Sequence, residues 1–283
     1  MSSTAYLLIS HGSRDPRPQE AMARLARLVR RRLMGGLAGQ PSSAQANPPS
    51  KAPSSPLLTS APSMPPASTV RCPSEVIVGT ACLELAPLPL SQQIYEFGRR
   101  LQAAGVTQLK LLPVFLMNGV HVAEDIPAEV GTARQLLGDT LELTLCPYLG
   151  SHERISALMA AKLASIPAEG SLLVAHGSRR PRGNRPIDAL AQRLGTAVAY
   201  WSTPPDLESQ AISLMQQGCQ RLTVLPYFLF AGGITDAIAH LTEELAERFP
   251  RISFRLLPVL GASAELADIV VELVRSEQDS RAA

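Results

Sequence analysis

Apolar positions along this chain switch between two periods, and the switches mark its elements. Tyr6 to Ser10 is a short continuous apolar run ending in His-Gly-Ser, the pattern of a buried strand followed by a loop. From Pro18 to Leu33, the residues Met22, Leu25, Leu28, Val29 and Leu33 recur at helical spacing, with arginines on the opposite face. Strands are expected at 75–81, 108–116 and 141–147 and helices at 91–104 and 151–166, with Gly105 closing the first of those helices at its left-handed position. Residues 82–90 and 118–127 read as loops, the latter leading into a helix. The order then repeats, with strands at 171–175, 196–201, 221–229 and 252–258 and helices at 184–194, 206–217, 235–248 and 263–275. Strands alternating with helices imply right-handed crossovers and a parallel sheet covered on both faces.

The repetition extends to the residues themselves. LLISHGSRDPRP at 7–18 returns as LLVAHGSRRPRG at 172–183, and LLPVFLMNG at 111–119 returns as VLPYFLFAG at 224–232. The chain is read as two copies of one unit. The expected fold is α/β, with two tandem doubly wound domains, each a roughly four-stranded parallel sheet flanked by helices. The boundaries expected are 1–168 and 169–283. The copies differ in one long segment. Residues 35–69 are dominated by Pro, Ser, Ala and Gly with almost no charge, a composition that buries too little surface to offset its ordering entropy. They are expected to form a disordered insertion in the first copy.

Composition narrows the function classes. The chain has 283 residues, is 46% apolar and 18% charged, and carries a net charge of +2, which gives no electrostatic argument for nucleic acid. No apolar run reaches the length of a membrane span, and no leader pattern precedes the first strand, so a cytoplasmic protein is expected. Cys72, Cys82, Cys146 and Cys219 lack CxxC spacing and read as reduced thiols.

The candidate chemistry lies where parallel strands end, since ligands of such sheets bind beyond the carboxyl ends. His11, Glu84 and His121 stand on three separate loops at that edge. In the second copy, His176 answers His11, but Ser202 falls opposite Glu84 and Ile234 opposite His121. A residue that the scaffold needs should recur in both copies; one that serves chemistry need not. Two imidazoles and a carboxylate suit a borderline divalent metal, and equally supply general bases. The plainer alternative is a set of ordinary loop histidines. Arg14 and Arg17 follow His11 and suit substrate carboxylates, or else an ordinary solvated turn. Glu124 and Asp125 follow His121 and suit either a path for the metal or the N-terminus of the next helix, the second being the favoured reading for Asp125. His152 fits the cleft edge or a helix start, and His240 lies within a helix. No GxSxG elbow, Walker loop, GxGxxG or HExxH is present, and Ser13 lacks the surroundings of a serine nucleophile.

LLISHGSR, CLELAPLPL and LPVFLMNGVHVAEDIP together resemble the class II chelatases of modified tetrapyrrole synthesis, in particular the sirohydrochlorin cobalto- and ferrochelatases in their long, two-repeat form. The resemblance spans nearly all of the chain outside 35–69. It implies a chelatase-like fold and insertion of a divalent metal, Co²⁺ or Fe²⁺ with Ni²⁺ as a further candidate, into sirohydrochlorin for cobalamin or siroheme synthesis, with the metal as substrate and without ATP. It implies His11 and His121 as the metal-handling and proton-accepting pair and Glu84 as their acidic partner. Ser13, Arg14, Arg17 and His176 are the expected substrate contacts. A monomer with an internal pseudo-dimer is expected, the second copy acting as lid and scaffold. The competing expectation is a metal or tetrapyrrole carrier without turnover, and a hydrolase would depend on Ser13.

Overall fold

A computed structural model describes residues 3–37 and 76–279. The first copy contains β1 (Thr4–Ser10), α1 (Pro16–Leu37), β2 (Val78–Cys82), α2 (Leu90–Ala103), β3 (Gln108–Pro113), α3 (Ile126–Leu137), β4 (Glu142–Leu145) and α4 (Arg154–Ala164). The second contains β5 (Gly170–Ala175), α5 (Arg185–Leu194), β6 (Ala197–Tyr200), α6 (Leu207–Gln216), β7 (Arg221–Pro226), α7 (Gly233–Arg248), β8 (Ser253–Leu256) and α8 (Ala264–Asp279). Each copy forms one four-stranded parallel sheet, in the orders β2-β1-β3-β4 and β6-β5-β7-β8. The α/β architecture with two tandem sheets is as the sequence implied.

The structure departs from these expectations in three places. The expected strands 108–116 and 221–229 end early, at Pro113 and Pro226. Proline has no N–H to give to a ladder, and beyond each proline the chain makes one further bond to the central strand, from Val114 N to the Ile9 carbonyl and from Tyr227 N to the Val174 carbonyl, both at 2.7 Å. Residues 35–37, expected in the insertion, instead continue α1; the rest of the expected insertion lies outside the described residues, as does Cys72. The expected loop at 118–127 contains a π-helical turn, His121–Asp125, running directly into α3.

Alternation along the strands sorts the core. Ala5, Leu7, Ile9, Leu109 and Leu111 face α2 and α3 through Leu90, Ile94, Leu101, Ile126 and Val130. Val174, Leu222 and Val224 form the corresponding layer with α6 and α7. The opposite faces of both sheets share one continuous core. Leu8 and Leu112 of the first copy and Leu173 and Leu225 of the second belong to it, together with residues of α1, α4, α5 and α8. The final helix of each copy crosses over: α8 packs along α1, and α4 against α5. Met22, Leu25, Val29 and Leu33 of α1 are buried in that shared layer, each contributing about 1.5–3 kcal/mol. Polar ties follow the exchange. The buried Lys110 of β3 donates from Nζ to the Val274 carbonyl of α8 at 2.5 Å. Arg32 pairs with Asp268 at 2.8 Å, and Lys162 of α4 donates to the Val259 carbonyl at 3.2 Å. No helix among the described residues is long and apolar enough to cross a membrane. Cys82, Cys146 and Cys219 form no disulfide.

Candidate functional site

The order β2-β1-β3-β4 reverses direction between β1 and β3, the place where an open parallel sheet leaves a crevice at its carboxyl edge. His11 follows β1, Glu84 follows β2 and His121 follows the loop after β3. Their side chains meet there. One ligand atom from each of the three lies within 4.8 Å of the others, the only such His/Cys/Asp/Glu group among the described residues. His11 Nε2 stands 3.9 Å from Glu84 Oε2. The imidazoles of His11 and His121 meet edge to face, with centroids 4.8 Å apart and planes at 84°. Phe115 flanks both rings, at 6.3 Å from His11 and 6.5 Å from His121.

Backbone hydrogen bonds hold this geometry. Leu83 N donates to the Ser10 carbonyl and Glu84 N to the His11 carbonyl, both at 2.9 Å, so the β2 loop is tied to the β1 loop residue by residue. Gly12 makes the approach possible. Its φ is +104°, and a Cβ there would lie 2.0 Å from the Glu84 carbonyl oxygen; no other residue fits without moving one of the loops. The π turn sets the third corner. Within it His121 Nδ1 and Asp125 Oδ2 are 2.8 Å apart, one turn of backbone separating them. A carboxylate on one ring nitrogen fixes the tautomer and leaves the other nitrogen for a ligand, the usual outer contact of a metal-binding histidine. The role expected of Asp125 at a helix start thus gives way to a direct contact with His121. The i,i+4 spacing in HVAED was the signal for it. Phe115 carried no comparable signal.

The second copy preserves the frame and lacks the chemistry. Trp201 N donates to the Ala175 carbonyl and Ser202 N to the His176 carbonyl, both at 2.9 Å, reproducing the two tie bonds of the first copy. Ser202 therefore occupies the place of Glu84, and its hydroxyl donates to the His176 carbonyl at 2.8 Å. His176 is exposed, its Nδ1 3.0 Å from the Gly177 carbonyl oxygen. Ile234, opposite His121, packs partly buried against the outer core of that copy.

The remaining expected residues divide. Ser13 Oγ accepts from Asp15 N at 3.1 Å, a local turn contact, while the residue lines a cavity of about 170 Å³ with His11, Gly12, Leu229 and Phe230. Arg14 is exposed and forms no ion pair among the described residues. Arg17 is engaged elsewhere: its guanidinium binds Asp15 and, across the two copies, Asp236 at 2.5 Å. Hydrogen bonding to Arg17 holds both carboxyls below their ordinary pKa, and the two carboxylates push the guanidinium further up. Arg17 thus forms a latch between the copies. His152 pairs with Glu272 of α8 at 3.3 Å and accepts from Arg154 N at the start of α4. His240 pairs with Glu244 on the surface of α7 at 3.2 Å.

A nitrogen–nitrogen–oxygen set of this kind suits first-row divalent ions. Side-chain exposure of 50% at His11, 49% at Glu84 and 35% at His121 leaves the site open on the cleft side. A separation of up to 4.8 Å exceeds the roughly 3.3–3.5 Å implied by 2.0–2.2 Å bonds to a tetrahedral ion. Leu85 and Leu88, next to Glu84, are exposed apolar residues, and Leu85 holds a left-handed φ of 58°.

Comparison with known proteins places this geometry in company. A family model described as CbiX matches residues 67–166 and again 170–277. A chloroplast sirohydrochlorin ferrochelatase of Arabidopsis thaliana is 31% identical over 118 residues, 38% of this chain and 52% of that protein, so the chain spans about half of that relative. A sirohydrochlorin cobaltochelatase of Priestia megaterium is 21% identical over 215 residues, covering 70% of this chain and 69% of the relative. Among solved structures, SirB from Bacillus subtilis with Fe³⁺ superposes with a TM-score of 0.67 at 18% identity, covering 98% of this chain and 95% of that one.

Proposed function

Because the chain belongs to the CbiX family, we propose that it is a sirohydrochlorin chelatase, inserting Co²⁺ or Fe²⁺ into the tetrapyrrole with the metal and the macrocycle as its two substrates. The observation that carries this reading is the meeting of His11, Glu84 and His121 at the switch point of one sheet, while the same frame in the other copy lacks the carboxylate and the second imidazole.

Insertion exchanges two pyrrole N–H protons for one divalent ion, so the reaction needs a place for the ion and acceptors for both protons. His121, oriented by Asp125, holds the ion through its free ring nitrogen. His11 and Glu84, 3.9 Å apart, take the protons as they leave the pyrrole nitrogens and pass them to solvent, which reaches both. A closed four-ligand cage would keep the ion; an imidazole in an open site releases it once the macrocycle nitrogens compete. The exposed Leu85 and Leu88 in the loop that carries Glu84, with Phe115 flanking the imidazoles, offer apolar surface to a flat macrocycle. No step requires a nucleotide. The proposed setting is the cytoplasm, with the two copies acting as an internal pseudo-dimer.

The test is the number of turnovers. With protein well below sirohydrochlorin and Co²⁺, the tetrapyrrole absorbance is expected to convert completely to that of the metal complex. A spectral change that stops at one equivalent of protein would identify a carrier and contradict the reading. Parallel runs with Fe²⁺ and Ni²⁺ rank the metals.

A further inference from the structure

The second copy loses chemical side chains at its strand ends and gains charge. In the register of the repeat, Arg14, Asp15, Arg17 and Glu20 of the first copy correspond to Arg179, Arg180, Arg182 and Arg185 of the second. The first set cancels to no net charge; the second is all positive. All four arginines are exposed, and none forms a side-chain hydrogen bond or ion pair among the described residues. They occupy the loop between β5 and α5 and the first position of α5, a helix start where the backbone dipole already favours anions and disfavours cations. Four mutually repelling cations at such a place cost stability unless an anion answers them. The loop is nonetheless built. Ser178 N donates to Asn184 Oδ1 at 2.7 Å, Arg180 N donates to Ser178 Oγ at 3.2 Å, and Arg182 sits at a left-handed φ of 65°.

This loop leaves the same edge of its sheet as Leu229 and Phe230, which line a cavity with His11 of the first copy. The Arg17–Asp236 pair and the cavity shared by Ser10–Ser13 with Leu229 and Phe230 bring the carboxyl edges of the two sheets together. β5 lies next to β7 in its sheet, so the loop after β5 adjoins those contacts.

We propose that Arg179, Arg180, Arg182 and Arg185 form the docking element for the carboxylate side chains of the tetrapyrrole, so that the second copy positions the macrocycle over the His11–Glu84–His121 site. The assignment rests on the chelatase reading above and adds a division of labour: one copy handles the metal and protons, the other holds the acidic periphery. Guanidinium forks match carboxylates bidentately, which orients the ring as well as attracting it. The arginines act as positioning residues and leave the chemical step alone.

The experiment combines binding with kinetics. Metal-free sirohydrochlorin is titrated into the protein, with quenching of the single tryptophan, Trp201, as the readout. The variant Arg179→Gln/Arg180→Gln/Arg182→Gln/Arg185→Gln is expected to bind at least about tenfold more weakly and to show KM raised to match, with kcat within about twofold of the parent. Its affinity should also lose most of the parent's dependence on ionic strength. The methyl-esterified tetrapyrrole should bind parent and variant alike. The quadruple lysine variant, which keeps the charge and loses the forks, should bind between the parent and the glutamine variant. Equal binding by parent and glutamine variant overturns the assignment. Binding that depends on the arginines in a protein that shows no turnover would contradict the chelatase reading and leave the docking element standing.

Discussion

Asp125 and Gly12 decide the geometry of the site without being able to do its chemistry. Asp125→Asn keeps the size of the side chain and removes its charge from His121 Nδ1. Loss of such an outer contact lowers metal affinity by about 10- to 100-fold, which a calorimetric titration with Co²⁺ would register; an unchanged affinity would mean that the π turn alone orients the ring. For Gly12→Ala, the left-handed φ and the 2.0 Å approach to the Glu84 carbonyl act together, and a loss of more than about 2 kcal/mol in denaturant unfolding is expected. Gly105→Ala is the control. Its φ is +74° but nothing lies within 4 Å of the new methyl, so only the conformational cost of about 1 kcal/mol remains. At this scale the sequence was legible where the repeat supplied a contrast. Comparing the copies singled out Glu84 and His121, because Ser202 and Ile234 answer them. The Arg17–Asp236 pair was not legible for the complementary reason: the partners are remote in sequence and nothing along the chain joins them.

The helices follow from periodicity because each has one face in a core, and the strands from short apolar runs because both faces of each sheet are covered, β3 and β7 ending at Pro113 and Pro226, short of those runs. Two features of the elements were not legible. The π turn at His121–Asp125 has no periodic signature, being a single extra residue within a helical start. The exchange of α4 and α8 was hidden because amphipathicity gives a helix an apolar face without naming what covers it. The exchange has a consequence for the split expected at residue 168. A fragment comprising residues 1–168 keeps β1 to β4 but loses α8 from α1, uncovering Leu25, Val29 and Leu33, and loses α5 from α4. The fragment is expected to self-associate or to lack cooperative unfolding, which size-exclusion chromatography and thermal melts would reveal. A stable, well-folded monomer would show that the shared layer is dispensable.

Taken as a whole, the molecule is two sheets joined by a common helical layer and pinned at their carboxyl edges by Arg17 between Asp15 and Asp236. Both carboxyls are held below their ordinary range by hydrogen bonds from Arg17. A depressed folded value means that the latch contributes fully above the unfolded pKa of about 3.9 and is lost as the pH falls through the folded values. Asp236→Asn should therefore melt below the parent at about pH 7, with the gap closing towards about pH 3. A gap that persists in acid would assign the effect to packing. The latch, the shared cavity and the strand-end site all lie on one edge, so the arrangement of the copies and the chemistry of the first are expected to respond together.

The central claim is that His11, Glu84 and His121 carry metal insertion, and steady-state insertion of Co²⁺ into sirohydrochlorin by His121→Ala, set beside the parent protein, tests it most directly. A fall in kcat of at least about 100-fold is expected, with an unaltered circular dichroism spectrum and thermal midpoint. A variant that inserts the metal at the parental rate would contradict the account.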